Sequence, residues 1–304
     1  MSKTFKSSIP PALNKGDAIA IIATARYVDL KILEFAEQLF DRWGLKVIRG
    51  ENVLKKQFNF AGSDHQRLTD LQWAMDDPKI KAIFCFRGGY GSTRILERMN
   101  PKAFIKNPKW LVGFSDVTAL HNYIGSICKT ASVHATMPIN YKENTDQALL
   151  SLKQLLFDKK MNYSLEPCTA NVLGEVSGPI VGGNLAILQS LSGTKYDIDT
   201  KGKILFLEDV DEYLYNIDRM LWTLKHAGKL AHISGLIVGG FTKIKDNDDP
   251  FGMNVQEIVL EKVKQYNYPV CFNFPAGHFD DNRAIAFGLT TKLSVSNNSV
   301  IVSH

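Results

Sequence analysis

The chain has 304 residues, of which 45% are hydrophobic and 22% are charged, a composition typical of a globular protein with a large core. Its formal net charge of +5 is mild and spread along the sequence, so it does not suggest nucleic-acid binding, although an anionic substrate would suit it.

No targeting or anchoring signal is recognisable. Segment 1–17 lacks the apolar stretch of a signal peptide, and the apolar run 18–25 is too short to span a bilayer. The four cysteines lie far apart without metal-ligand spacing, which favours free thiols in a reducing compartment. We therefore expect a cytoplasmic protein without membrane association.

Strand and helix signals alternate through the first half of the chain. The continuous apolar run 18–23 is typical of a strand buried on both faces. Further strands are predicted at 45–49, 80–86 and 110–113, with helices at 30–43, at 64–75, from the glycine-rich segment to Met99, and at 116–127. This rhythm predicts an α/β fold with a parallel, doubly wound sheet.

The pattern changes near residue 162: segment 167–171 is irregular, and segment 174–179 is rich in turn residues. We place a linker at 163–178, between an N-terminal domain (1–162) and a smaller, β-rich mixed α/β domain (179–304). In the second domain the patterns predict strands at 180–183, 203–207, 236–241, 270–273 and 292–302, and helices at 184–191, 217–227 and 255–265.

Ser115 is the first candidate for chemistry. The apolar run 110–112 ends at Gly113, and a helical pattern begins directly after the serine. Such a strand-to-helix elbow exposes a nucleophilic hydroxyl beside backbone N–H groups. The alternative is that Ser115 only caps the following helix.

The second feature is the glycine-rich segment 87–92 (Arg-Gly-Gly-Tyr-Gly-Ser). Its glycines can present N–H groups to an anion, so an amide of Gly88 or Gly89 could form an oxyanion hole with that of Asp116. A dinucleotide site is disfavoured because Arg94 stands where a third small residue is required. A tight turn without function is the remaining alternative.

Two further segments offer a base and its orienting acid. Glu208 follows the apolar run 204–207, so it either orients a histidine or caps a turn. His278 follows Pro275 and Gly277 at the end of a predicted strand, where it suits general-base work. A zinc site that combines His278 with Asp280 and another histidine is disfavoured, since no typical metal-ligand spacing occurs.

Taken together, these segments resemble the LD-carboxypeptidase family of serine peptidases. The matching pieces run in the family's order over almost the whole chain: 13–17, 61–64 with Arg67 and 70–71, 87–92, 113–118, 182–185, 206–209, 217–221 and 274–278. Two departures are segment 23–26 (Ala-Thr-Ala-Arg), where the family usually has Pro-Ser, and 134–137 (His-Ala-Thr-Met) instead of His-Gly-Pro-Met.

The resemblance implies a nucleophile at Ser115, a general acid/base at His278 and an orienting acid at Glu208. It implies a flavodoxin-like N-terminal sheet that carries the serine, a C-terminal domain that supplies the other two residues, a homodimer, and no cofactor. The implied reaction removes the terminal D-alanine from murein tetrapeptides during cell-wall recycling.

The substrate contacts and two rival functions stay open. Arg87, Tyr90 and Arg94 are candidates for substrate binding, and an arginine or a backbone nest could hold the free carboxylate. One rival is the related branch that hydrolyses peptidyl-nucleotides of the microcin C type, which the acidic segment 208–212 disfavours. The other is a non-catalytic nucleotide- or peptidoglycan-binding module built on the glycine-rich segment.

Overall fold

A computed structural model describes residues 7–304. Within that range the strands are β1 (Ala18–Ile22), β2 (Lys46–Arg49), β3 (Ile80–Cys85), β4 (Trp110–Gly113), β5 (Ser132–His134), β6 (Asn162–Leu165), β7 (Gly174–Asn184), β8 (Ile204–Val210), β9 (Gly235–Thr242), β10 (Val270–Cys271), β11 (Ile285–Phe287), β12 (Thr290–Val295) and β13 (Val300–Ser303).

The α-helices of the described residues are α1 (Leu30–Arg42), α2 (Asp64–Asp76), α3 (Lys102–Lys106), α4 (Thr118–Tyr123), α5 (Asp146–Asp158), α6 (Leu185–Leu191), α7 (Leu214–His226) and α8 (Val255–Val263). Short 3₁₀ segments occupy Ser92–Arg98, Ser115–Val117 and Pro138–Asn140, and a π-helical turn covers Ile124–Cys128.

The fold is mixed α/β around a largely parallel sheet. Its main row has the order β10-β9-β8-β7-β11-β5-β4-β3-β1-β2, and β12, β13 and β6 branch from it at β7. The order β2-β1-β3-β4-β5, with all four pairs parallel, is that of a flavodoxin-like sheet. The α/β class and the parallel sheet predicted from the alternating pattern are therefore confirmed.

One sheet runs through both halves of the chain. Strand β11, from the C-terminal half, pairs antiparallel with β5 over three residues and meets β7 at Phe287 and Ile180. The largest hydrophobic cluster likewise includes Phe40 and Phe84 from the first half and Phe206 from the second. The domain boundaries at 162 and 179 stay a prediction.

The assignment of 163–178 as a linker stays a prediction, and the segment is irregular only at 166–173. It contains most of β6 and the start of β7. Residues 174–179 of β7 pair with β12, and residues 180–184 pair with β8, so the strand passes from one sheet branch to the other. Gly178 and Pro179 stand at this transfer, which explains why turn-type residues occur inside a strand.

The predicted helix 116–127 is also different in detail. A 3₁₀ turn over Ser115–Val117 leads into α4, and the π-helical turn ends it at Cys128. The segment predicted as a helix before Met99 is 3₁₀ throughout. Helix α2 begins as the sequence indicates, with Ser63 as its N-cap in a capping box with Gln66.

Candidate active site

Ser115 lies directly after β4, in a backbone conformation that serine rarely adopts. Its φ is +62°, in the left-handed region. Gly113, at the end of β4, has φ +159°, and a Cβ there would lie 2.9 Å from the Val117 side chain. The elbow predicted from the sequence is therefore present, and strain of this kind is typical of functional sites.

The glycine-rich segment packs against this elbow. A Cβ added to Gly88 would lie 3.2 Å from Ser115 Oγ and 3.5 Å from the backbone nitrogen of Asp116. The fully buried Asp116 carboxylate accepts a 2.9 Å hydrogen bond from the Ser92 N–H, which ties the segment to the elbow. Burial raises the Asp116 pKa, although hydrogen bonds from Ser92 and Gly91 oppose the shift.

The structure thus brings three of the predicted residues together: Ser115, Asp116 and Gly88. Gly89 has a different neighbour, because a Cβ on it would meet Arg26 Cδ at 2.6 Å. Of the two glycines, Gly88 is therefore the one that lies beside the serine. The role of the Gly88 and Asp116 amides as an oxyanion hole stays a prediction.

Glu208 and His278 form the second part of the site. The Nδ1 atom of His278 lies 2.7 Å from Glu208 Oε2. Glu208 is completely buried on β8, whereas the His278 side chain is 18% exposed in the loop after β10. Burial lowers the His278 pKa, but the charge and hydrogen bond of Glu208, with the charge of Asp209, outweigh it and raise the pKa overall.

Two contacts connect the serine elbow to this pair. The Phe114 ring lies 4.8 Å from the His278 ring, centroid to centroid. The Thr118 hydroxyl accepts a 3.0 Å hydrogen bond from the Asn184 N–H, and Asn184 is the register partner of Glu208 between β7 and β8. Within residues 7–304, no hydrogen bond joins the Ser115 hydroxyl to His278, so that step of the triad stays a prediction.

Asp209 is a site residue to which sequence reasoning gave no role. Its carboxylate accepts hydrogen bonds from Asn184 Nδ2 at 2.8 Å, from the Ala186 N–H at 2.9 Å and from the Val210 N–H at 2.8 Å. Burial, and then the adjacent charge of Glu208, raise its pKa to about 7. The Glu-Asp pair was visible in the sequence, but only the fold shows which backbone N–H groups donate hydrogen bonds to Asp209.

The three candidates for substrate contact have different surroundings. Arg94 forms an ion pair with Asp64, with its NH2 group 2.9 Å from Oδ2. Its charge is therefore paired with a carboxylate of α2. Tyr90 is 52% exposed and lies near the Phe60 ring. Arg87 is half-buried, and its NH1 group donates a 3.3 Å hydrogen bond to the Tyr27 carbonyl.

Within residues 7–304, no three His, Cys, Asp or Glu side chains are placed to hold a metal ion, and the alternative site at His278 and Asp280 is not formed. The four cysteines, all in that range, are unpaired. The described helices include none that could cross a membrane.

Comparison with known proteins gives matches in both halves of the chain. The LD-carboxypeptidase N-terminal domain matches residues 19–135 and the LD-carboxypeptidase C-terminal domain matches residues 177–293. A probable murein peptide carboxypeptidase of Bacillus subtilis is 33% identical over 298 residues, covering 96% of this chain and 93% of the relative. The chain belongs to the LD-carboxypeptidase family. The resemblance seen in the sequence motifs is confirmed.

Two further family members span nearly the same length. The murein tetrapeptide carboxypeptidase of Pseudomonas aeruginosa is 28% identical, covering 90% of this chain and 92% of its own. The crystal structure of a muramoyltetrapeptide carboxypeptidase from Oxalobacter formigenes superposes with a TM-score of 0.86 at 26% identity, covering 94% of this chain and 98% of that one. This LD-carboxypeptidase family member is therefore a peptidase with the family's full fold.

Proposed function

We propose that this protein is a serine carboxypeptidase that removes the terminal D-alanine from murein tetrapeptides. The observation that carries the proposal is the 2.7 Å contact between Glu208 and His278, whose ring packs against Phe114, the residue before the left-handed Ser115. A buried carboxylate, a partly exposed histidine and a strained serine are the three components of a serine hydrolase site. The substrate class is inferred from the names of the relatives.

In the proposed acylation step, His278 Nε2 takes the proton of Ser115 as its oxygen attacks the carbonyl carbon before D-alanine. Glu208 holds Nδ1, which fixes the ring orientation and stabilises the imidazolium that forms. The amides of Asp116 and Gly88 donate to the developing oxyanion, and each such donor contributes about 3 kcal/mol to transition-state stabilisation. His278 then returns the proton to the leaving amine, which releases D-alanine.

Deacylation reverses these roles. His278 takes a proton from water, the hydroxide attacks the acyl ester, and the proton returns to Ser115 as the shortened peptide leaves. The 18% exposure of the His278 side chain supports this step, because water can reach the ring from the open side. No cofactor takes part in the proposed reaction.

The proposal includes a cytoplasmic location and a homodimer. The four unpaired cysteines support a reducing compartment. The dimer rests on the family resemblance alone. Cell fractionation and the solution mass of the purified protein test these two points separately from the chemistry.

The deciding experiment incubates the purified protein with a murein tetrapeptide and follows the products by mass spectrometry. We expect loss of a single alanine with wild-type protein, and turnover at least about 10⁴-fold slower with Ser115→Ala. A circular dichroism melt establishes that the variant is folded. Wild-type-like turnover by folded Ser115→Ala would contradict the serine mechanism.

A second substrate in the same assay separates the rival function. In a peptidyl-nucleotide of the microcin C type, the amide bond to be cleaved joins the peptide to a nucleotide instead of to D-alanine. We expect the tetrapeptide to be the better substrate by kcat/KM. A preference for the peptidyl-nucleotide that also depends on Ser115 would keep the triad and reassign the substrate, and tight nucleotide binding without any hydrolysis would favour the binding-module alternative.

A further inference from the structure

Arg26 and Arg87 stand at the carboxyl ends of two neighbouring parallel strands. Arg26 follows β1 and Arg87 follows β3. After β1 the chain first forms β2 on one side of it and then β3 on the other side, so the direction of the strand order reverses at β1. In open α/β sheets, ligands bind in the crevice outside the carboxyl ends of strands at such a switch point.

This crevice adjoins the nucleophile. Gly88 and Gly89 are consecutive residues of one turn. Gly88 lies against Ser115, and Gly89 lies against Arg26. A Cβ on Gly88 would lie 3.2 Å from Ser115 Oγ, whereas a Cβ on Gly89 would lie 2.6 Å from Arg26 Cδ. The side chain of Arg26 therefore runs past the turn that lines the nucleophile.

The positive charge here is not neutralised by protein carboxylates. Among residues 7–304, neither Arg26 nor Arg87 has an acidic side chain within ion-pair distance, in contrast to Arg94, which is paired with Asp64. The ammonium group of Lys56 adds a third cation, 4.1 Å from the Tyr27 ring centroid. Burial, and then the charge of Arg26, lower the Arg87 pKa.

The backbone around Arg26 is held in place before any ligand binds. The Ala61 N–H donates a 2.9 Å hydrogen bond to the Ala25 carbonyl, and the Tyr27 N–H donates one of 3.3 Å to the Asn59 carbonyl. Arg87 NH1 donates a 3.3 Å hydrogen bond to the Tyr27 carbonyl. Preorganised donors bind an anion at a smaller entropic cost than mobile ones.

We propose that Arg26 and Arg87 form the subsite that binds the terminal carboxylate of the peptide substrate. This inference rests on the proposed carboxypeptidase function. The terminal carboxylate lies one residue beyond the scissile carbonyl. Likewise the two arginines flank Gly88: Arg87 precedes it in the chain, and the Arg26 side chain lies against the next residue, Gly89. The guanidinium group matches a carboxylate through paired N–H donors, which makes arginine suited to this recognition.

The test compares the murein tetrapeptide with the same peptide amidated at its C-terminus. We expect Arg26→Gln and Arg87→Gln to lower kcat/KM for the free acid by about 10- to 100-fold each, mainly through KM, with little change for the amide. Arg98→Gln, a change of the same type at an exposed arginine, should leave both substrates as in wild type.

A binding measurement keeps the inference testable apart from turnover. Calorimetry with Ser115→Ala protein should show that the free acid binds more tightly than the amide, and that Arg26→Gln in this background removes the difference. Equal affinities for acid and amide would overturn the inference even if wild-type enzyme is active. Failure of wild type to cleave any tetrapeptide would contradict the proposed function instead.

A third peptide distinguishes the source of the carboxylate. A murein tetrapeptide that contains diaminopimelate before D-alanine has a second carboxylate, on the diaminopimelate side chain. Replacing diaminopimelate with lysine removes this side-chain carboxylate, while the carboxylate at the chain terminus remains. The arginine variants should lose affinity equally for both free-acid peptides. A loss confined to the diaminopimelate peptide would overturn the assignment to the chain terminus.

Discussion

The hydroxyl of Thr118 accepts a hydrogen bond from the backbone N–H of Asn184 across 3.0 Å. Thr118 begins the helix that follows the nucleophile, and Asn184 ends the strand beside Glu208. Asp209 holds the Asn184 side chain from β8. A short series of hydrogen bonds thus connects the serine elbow to the strand that carries the acid.

Replacing Thr118 with valine should weaken this connection. Thr118→Val keeps the side-chain shape but leaves the buried Asn184 N–H without an acceptor, at a cost of about 1–3 kcal/mol in the free energy of unfolding. We expect kcat to fall about tenfold or more, because small displacements of a nucleophile are costly. Urea unfolding and steady-state kinetics measure both effects.

The control is Thr69→Val, at an exposed position of α2. It should change the unfolding free energy by less than about 0.5 kcal/mol and leave kcat unchanged. If Thr118→Val behaved like this control, the connection would have no part in positioning Ser115.

The charge of Glu208 should be visible in the pH profile. His278 acts as a base only when neutral, and its pKa is raised above 6.5. The acidic limb of kcat/KM should therefore have its midpoint above pH 6.5. Glu208→Gln removes the charge that raises this pKa, so the limb should move to lower pH while kcat falls by about 10³- to 10⁴-fold.

Asp211→Asn is the matched control for the acid. Asp211 is an exposed acid on the same segment, paired with Lys245 at 2.6 Å, and its left-handed φ of +63° suits asparagine as well. The pH profile of this variant should match that of wild type. An unshifted limb in Glu208→Gln would mean that Glu208 does not govern the titration of His278.

The space beside Gly88 should be essential for turnover. In Gly88→Ala the new methyl group would lie 3.1 Å from Ser115 Cβ and 3.2 Å from its hydroxyl oxygen, so the nucleophile or the turn must move. We expect kcat to fall about 100-fold with little change in fold. Gly125→Ala, where nothing lies within 4 Å of the added Cβ, serves as the control and should retain full activity.

Acid should destabilise the protein partly through two buried histidines. Burial lowers the His121 pKa to about 4 and the His134 pKa well below 6.5. Such a group stabilises the folded state fully above its unfolded-state pKa of 6.5, and this stabilisation is lost as pH falls below that value. For His121 the whole effect is on the order of 3 kcal/mol, complete near pH 4.

His134→Leu tests the second histidine. Both ring nitrogens of His134 lack a partner among the described residues, and aromatic rings of Phe114, Phe206 and Phe287 surround it. Leucine should thus leave stability at pH 8 undiminished and reduce the loss between pH 7 and pH 5, as followed by urea unfolding. An equal loss in variant and wild type would place the acid sensitivity elsewhere.

Local sequence signals predicted the parallel sheet well. Apolar runs located β1, β3 and β4 to within a residue, because strands buried on both faces must be apolar throughout. The same reasoning missed the course of β7. Its glycines and Pro179 indicate a turn locally, and only pairing with β12 and β8, distant in sequence, makes the segment a strand.

In the candidate site, too, local features could be predicted from the sequence, and features that depend on long-range contacts could not. The elbow at Ser115 is a local feature and was visible in the sequence. The pairing of His278 with Glu208 joins residues 70 positions apart and came from the family resemblance. The roles of Asn184, Thr118 and Arg26 depend on which strands are neighbours, so no local pattern could reveal them.

The insertion of β11 next to β5 has a consequence for biosynthesis. When a ribosome has produced only the first 162 residues, the flavodoxin-like portion still lacks the three residues that cover the open edge of β5. That edge stays unpaired until Ile285–Phe287, from the C-terminal half, has emerged. The nascent polypeptide would thus complete its architecture late, and fragments truncated before that point should be prone to aggregation.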